Sequence, residues 1–270
     1  MKNRTFSALT VAAFLAASAA LVGCSKQAPE QGEQKTSAPA SDVIKIGVFQ
    51  PLTGANSAGG ADELEGIKLA NKLYPTALGK KVELVIVDNK SDKVEAANAA
   101  TVLTQKEKVN AVLGSWGSSL SMSGGPIFAE AKIPAVALSA TNPNVTKGNE
   151  YYFRVCFLDP FQGTVGAAYA YNTLKAKKVA IIREVSNDYS VGLTKFFVDN
   201  FVKLTGDDKA VVATADYNTG DQDFSAQLTN ITQHNPDVIF APGNYTESAL
   251  IIKQARALGM QTPFIGADTW

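Results

Sequence analysis

The sequence predicts an α/β protein with two lobes, each built on a parallel sheet, joined by an extended hinge. Short apolar runs alternate with amphipathic helical patterns over residues 43–138 and again over residues 178–265. Alternation of strands with helices is typical of parallel sheets. A single extended segment, residues 151–159, separates the two series. We therefore expect lobe 1 at residues 42–150, a crossover at 151–159 and lobe 2 at 160–270.

The amino terminus has the pattern of an export signal. Lys2 and Arg4 precede an uncharged, mostly apolar run over residues 6–22, which indicates a signal peptide (residues 1–23) rather than a lasting membrane span. The run continues into LVGC and resembles a bacterial lipobox, so we expect Cys24 to be lipidated. Residues 24–41 then predict a lipidated cysteine followed by a flexible linker, because the linker has no aliphatic side chain larger than alanine.

Composition indicates a packed globular protein, with 46% hydrophobic and 19% charged residues. The 25 basic and 25 acidic residues balance, which gives no reason to expect nucleic acid as a partner or an anionic lipid surface. The second of the two cysteines, Cys156, lies in an apolar strand-like run, where we expect a buried structural thiol. Only Cys156 follows Cys24 in the sequence, so a disulfide within the exported domain is excluded.

In lobe 1 the predicted strands are residues 43–49, 82–87, 111–113 and 134–138. A small-residue loop over 55–60 is expected to precede a helix over 61–74, whose apolar stripe is Leu64, Ile67, Ala70 and Leu73. Asp92 and Glu95 have the spacing of a capping box for a helix that runs to about residue 108.

In lobe 2 the same cycle restarts. The predicted strands are residues 178–182, 210–215, 237–240 and 263–265, and the predicted helices are residues 159–174, 189–204, 223–234 and 246–258.

Two turns rich in serine and threonine stand out in lobe 1. Residues 114–119 follow one predicted strand and residues 139–141 follow the next. The carboxyl ends of neighbouring parallel strands meet at one sheet edge, where α/β proteins bind ligands. Free amides at a helix start and small hydroxyls suit an anion such as a carboxylate. The alternative is that these residues only cap the following helices.

The ordered set of short segments resembles a known family. These segments are IKIGVFQPLTG, LVIVDNKSD, AVLGSWGSS, KIPAVALSAT, YYFRV, DYSVG, DQDFSAQL, PDVIFAPG and ARALGMQTPFIGAD. With the lipoprotein leader, the chain looks like a substrate-binding lipoprotein of an ABC importer. It most resembles the branched-chain amino-acid-binding (Leu/Ile/Val-type) group, which implies the type I periplasmic binding fold of two Rossmann-like lobes.

The resemblance implies a site for an amino acid between the lobes. Ser118 and Thr141 match the positions that hold the ligand's α-carboxylate, and Ser139 contributes a backbone group. Asp268 matches the acid that holds the α-ammonium. Tyr189 matches an aromatic residue of the cleft.

The chain departs from the family pattern in three places, which concern the ligand's side chain. A tyrosine position of the family falls near Gly59, a second aromatic position falls at Asn244 beside Tyr245, and Trp116 is unusual in its turn and is expected to cover the ligand. The sequence also ends where the family normally crosses back between the lobes, so we expect a chain truncated at its carboxyl end.

The sequence leaves three functions open. The first is a solute receptor that delivers an amino acid to ABC permease and ATPase subunits, as a monomer held to the membrane only by its lipid anchor and facing the periplasm or the exterior. The second is a sensor of the same fold. The third is an enzyme, which the motifs disfavour: there is no paired-cysteine, HExxH or GxSxG pattern, and the single histidine, His234, lies at a predicted helix end. We predict no catalytic residue, metal or cofactor.

Overall fold

Two sheets organise the part of the chain that the structure, a computed structural model, describes: residues 42–270. The predictions for residues 1–41, including the signal peptide, Cys24 and the linker, lie outside that range. The predicted fold class, two α/β lobes with parallel sheets, is confirmed.

The first sheet consists of β1 (Val43–Gln50), β2 (Thr76–Ala77), β3 (Lys80–Asp88), β4 (Ala111–Gly114), β5 (Ala135–Ala137) and β6 (Tyr152–Arg154). Their spatial order is β2-β3-β1-β4-β5-β6, and every neighbouring pair except β2–β3 is parallel. Its helices are α1 (Ser57–Leu73), α2 (Lys93–Thr101) and α3 (Ser118–Ala131). A π-helical turn, Val102–Lys106, continues α2.

The second sheet consists of β7 (Val179–Glu184), β8 (Val211–Tyr217), β9 (Val238–Phe240) and β10 (Phe264–Ile265), in the order β10-β9-β7-β8. Its helices are α4 (Asp159–Ala168), α5 (Asp188–Thr205), α6 (Ser225–Gln233) and α7 (Tyr245–Ala257). A π-helical turn, Tyr169–Thr173, continues α4. Phe197 of α5 stacks on Phe240 of β9 with ring centroids 3.9 Å apart, and both rings are buried. This contact fixes α5 against the sheet.

The first helix begins earlier than predicted. Ser57–Gly60, predicted as part of a loop, form the first turn of α1. The small residues serve close packing: a Cβ on Gly60 would lie 2.0 Å from the Pro51 carbonyl oxygen. The predicted apolar stripe is also only half right, since Leu64 and Ile67 are buried whereas Ala70 and Leu73 are exposed.

The predicted capping box at the start of α2 is incomplete. The Asp92 carboxylate accepts hydrogen bonds from the amides of Val94 and Glu95, as an N-cap should. The Glu95 carboxylate instead pairs with Lys90, at 3.3 Å. Glu95 therefore does not close the box.

The extended segment predicted over residues 151–159 contains less regular strand than expected. Only Tyr152–Arg154 is regular, and it pairs with β5 as the edge of the first sheet. Cys156 lies in the bend that follows, is only partly buried, and donates to the Ala140 carbonyl with 3.5 Å between the atoms. The prediction of a buried thiol in a strand is therefore wrong.

No helix within residues 42–270 combines the length and the apolar character needed to cross a membrane.

Candidate ligand-binding site

One cavity between the lobes brings together all seven side chains singled out in the sequence. Its lining residues are Trp116, Gly117, Ser118, Ser139, Thr141, Asn187, Tyr189, Asn244, Asp268 and Thr269, and its volume is about 40 Å³. The first five belong to the turns that follow β4 and β5, and the others follow β7, β9 and β10. The cavity therefore lies at the carboxyl ends of strands from both sheets. Gly117, Asn187 and Thr269 were not predicted.

Ser118 opens α3 and is nearly inaccessible, with 2% exposure. Its Oγ accepts a hydrogen bond from the Asn142 amide at 3.1 Å. Because the hydroxyl acts there as an acceptor, its own proton can be donated to another group. The opening amides of α3 add donors, since the first amides of a helix lack helical partners. This end of the cavity is thus rich in donors.

Thr141 faces the buried start of α4. Its Oγ1 is buried and makes no well-formed hydrogen bond with the described residues, and the same is true of Oδ2 of Asp159. Burial raises the pKa of the Asp159 carboxyl to about 6, although the adjacent Thr141 hydroxyl and the Gln162 amide favour ionisation. An unpartnered buried hydroxyl at a cavity wall is suited to donate to an incoming group.

The guanidinium of Arg154 holds the second turn in place. Nη1 donates to the Ala140 carbonyl at 2.7 Å, and Nη2 donates to the Asn142 carbonyl at 3.0 Å and to the Thr146 hydroxyl at 2.9 Å. The fork therefore spans both sides of Thr141. Arg154 was not predicted from the sequence, although it lies in the YYFRV segment, which forms the next strand after this turn.

A chain of polar contacts joins the two turns within lobe 1. The Trp116 amide donates to Oε1 of Gln50 at 2.7 Å, and Nε2 of Gln50 donates to Oε2 of Glu63 at 2.6 Å. The Ser139 hydroxyl donates to the other oxygen of Glu63. Burial raises the pKa of Glu63, while the bonds from Ser139 and Gln50 lower it. Gln50 and Glu63 thus set the positions of Trp116 and Ser139.

Asp268 supplies a carboxylate from lobe 2. Its Oδ1 accepts from the Tyr189 hydroxyl at 2.6 Å, and its amide donates to the Gln162 side chain at 2.8 Å. Burial and the adjacent Asp268 charge raise the pKa of Tyr189 well above its ordinary value, so the hydroxyl stays a donor. The carboxylate is therefore held in place while its side chain remains exposed to the cleft.

The residues that depart from the family pattern, Gly59, Trp116 and Asn244, lie close together in the cleft. The Trp116 indole lies against Gly59, where a Cβ would come within 2.4 Å of Cε2. Its ring also packs against Tyr245, with centroids 6.1 Å apart. Asn244 is buried and donates from Nδ2 to Oδ1 of Asn56 across the cleft at 3.0 Å.

Within residues 42–270 no group of three or more His, Cys, Asp or Glu side chains is arranged to hold a metal ion.

The family comparison identifies the class of protein that this fold and cavity define. The model of the family described as "Periplasmic binding protein" matches residues 43–270. The chain belongs to this family, and the resemblance stated from the sequence is confirmed. A curated relative, the amino acid binding protein of Pseudomonas aeruginosa, is 32% identical over 232 residues, which cover 84% of this chain and 61% of the relative.

Solved structures agree with this assignment. The leucine binding protein LivK of Thermotoga maritima has a TM-score of 0.79 and 46% identity, covering 83% of this chain and 63% of that one. The branched-chain amino acid transporter substrate binding protein LivJ of Streptococcus pneumoniae, solved in complex with isoleucine, has a TM-score of 0.76 and 35% identity, covering 83% and 64%. The chain therefore spans somewhat over three fifths of the length of the proteins that it matches.

Proposed function

We propose that this chain is the solute receptor of an ABC importer and binds an amino acid in the cavity between its lobes. Branched-chain and similar aliphatic amino acids are the first candidates, and the bound solute is delivered to the permease and ATPase subunits. The observation that carries the proposal is the separation of hydrogen-bond donors in lobe 1 from the Asp268 carboxylate in lobe 2 across one cavity.

A zwitterion fits that separation. The α-carboxylate is placed at Ser118 and Thr141, where hydroxyls and helix-start amides can donate to it. The α-ammonium is placed at Asp268, which Tyr189 already orients. Relatives and similar structures named as amino-acid-binding, leucine-binding and branched-chain binding proteins support the same solute class.

We also propose that the protein acts outside the cytoplasm and catalyses no reaction. Membership of a periplasmic binding protein family supports an extracytoplasmic location. We further propose attachment through a lipid on Cys24, no nucleic acid partner and a monomeric state. The relatives named here are binding proteins rather than enzymes, which favours a receptor without catalytic activity.

A sensor that binds an amide or another small polar solute is the second candidate. The Asn244 side chain in the cavity wall favours an uncharged polar solute, because an amide group can both donate and accept hydrogen bonds. Genes for a permease and an ATPase beside the receptor gene would favour transport, whereas a kinase or cyclase gene would favour sensing.

Calorimetry with three related compounds tests the zwitterion site. Leucine carries both charges, leucinamide lacks the carboxylate, and 4-methylpentanoate lacks the ammonium. With whole protein freed of ligand by unfolding and refolding, we expect leucine to bind at least about tenfold more tightly than either analogue, since each lost charge leaves a site group unpaired. Equal binding of leucinamide would contradict the carboxylate site and favour the second candidate.

A further inference from the structure

Trp116 forms a wall common to three neighbouring cavities. It lines the cavity of about 40 Å³ that contains Ser118 and Thr141, a cavity of about 520 Å³ towards Lys93 and Glu184, and a third of about 250 Å³ towards Asp62, which Asp268 also lines. The indole therefore lies where the proposed amino-acid site adjoins two larger spaces.

The indole is held on two sides. Gly59, in the first turn of α1, leaves the space that the indole occupies, because a Cβ at that position would lie 2.4 Å from Cε2 and 2.5 Å from Nε1. On the other side stands the Tyr245 ring, whose hydroxyl donates to the Ala55 carbonyl at 3.3 Å. With the indole in this position, only glycine fits at residue 59.

We propose that Trp116 determines which amino-acid side chains this receptor accepts, and that Gly59 is the residue that permits it to do so. This inference rests on the proposed function. The indole closes the far end of the amino-acid site and limits the length of the ligand's side chain. A compact aliphatic side chain packs against it, and an aromatic side chain requires the space that it fills.

The size limit is tested by ligand preference. Dissociation constants for leucine and phenylalanine are measured by calorimetry on the whole protein, on Trp116→Ala and on Trp116→Leu, which retains an apolar side chain in case the alanine variant does not fold. We expect the ratio of the phenylalanine constant to the leucine constant to fall at least tenfold, equivalent to about 1.4 kcal/mol. Trp270→Ala is the matched control, because Trp270 lines the third cavity and not the amino-acid site.

An unchanged ratio in both Trp116 variants, with leucine still bound by the parent, would overturn this inference and leave the proposed function standing. Failure of the parent to bind either amino acid would overturn both. An equal fall of the ratio in Trp270→Ala would also overturn the specific role of Trp116.

The role of Gly59 has its own test. Alanine normally stabilises a helix relative to glycine, and Gly66 in the same helix has no atom within 4 Å of an added Cβ. We expect Gly66→Ala to raise the melting temperature in the parent and in Trp116→Ala. Gly59→Ala should lower it in the parent and raise it in Trp116→Ala. Equal effects of Gly59→Ala in both backgrounds would overturn the proposed dependence of the indole on Gly59.

Discussion

The Ser119 hydroxyl of lobe 1 donates a hydrogen bond to Oδ2 of Asp188 in lobe 2 at 2.8 Å, and accepts one from the Asp188 amide at 2.9 Å. Lys93 donates to the same carboxylate oxygen at 2.9 Å, and the Asn142 side chain donates to the Asp188 carbonyl at 2.8 Å. Three parts of lobe 1 therefore contact one residue at the start of α5. Asp188 therefore links the two lobes, and we propose that it holds them together.

If these contacts hold the lobes together, their removal should let the lobes move apart. We expect Asp188→Ala to weaken leucine binding about three- to tenfold, because the ion pair is partly exposed and such pairs contribute little each. Small-angle scattering of the ligand-free protein should show a larger radius of gyration. Asp216→Ala is the control, since Asp216 pairs with Arg183 inside lobe 2 at 2.8 Å. Equal effects of the two substitutions would contradict this role of Asp188.

Asp268 should contribute most of the charge recognition. We expect Asp268→Ala to weaken leucine binding by about ten- to a few hundred-fold, because the ligand's ammonium would be left without its charged partner. Ser118→Ala should cost less, since backbone donors remain at the start of α3. Titration calorimetry measures both. Unchanged affinity in Asp268→Ala would mean that the solute is not held by its ammonium.

Asp159 should make the protein less stable as the pH rises. Its pKa is about 6 in the folded protein and near 3.8 ordinarily, so the folded state binds the proton more tightly and stability falls between about pH 4 and pH 6. Above pH 6 the ionised group costs on the order of 3 kcal/mol. Urea unfolding at several pH values should show that this slope is reduced in Asp159→Asn.

The control for that experiment is Asp223→Asn. Hydrogen bonds from Ser225 lower the pKa of Asp223, so it titrates below the relevant range. Glu63 and Glu184 also have pKa values raised by burial and add slopes of the same sign. The difference between the parent and Asp159→Asn therefore isolates one group, and identical pH profiles would show that Asp159 is not buried as described.

The lipid anchor is tested at Cys24. Because LVGC at residues 21–24 resembles a lipobox, we expect the parent protein to incorporate labelled palmitate and to sediment with membranes. Cys24→Ala should do neither. A Cys156→Ala variant controls for labelling at the other cysteine, and continued acylation of Cys24→Ala would refute the assignment.

Local patterns predicted the fold well because each strand and helix is specified by nearby residues. The two polar turns were also predictable, since both follow directly after apolar strands. The link between them was not: Ser139 meets Glu63 across 76 positions of sequence, and neither residue's neighbours indicate that pairing. The early start of α1 was missed for a similar reason, because small residues at 57–60 resemble a loop until Pro51 is seen against Gly60.

The polar chain from Trp116 through Gln50 and Glu63 to Ser139 lies wholly within lobe 1. The donor half of the site therefore depends on lobe 1 alone. We propose that a ligand first binds this half and that Asp268 contacts it when the lobes close. The two halves should affect different rate constants. Lobe 1 should determine the association rate, because it captures the ligand, and the contact with Asp268 should determine the dissociation rate, because the ligand leaves when the lobes reopen. In stopped-flow measurements, Asp268→Ala should accelerate release and leave the association rate nearly unchanged, whereas Gln50→Ala should slow capture.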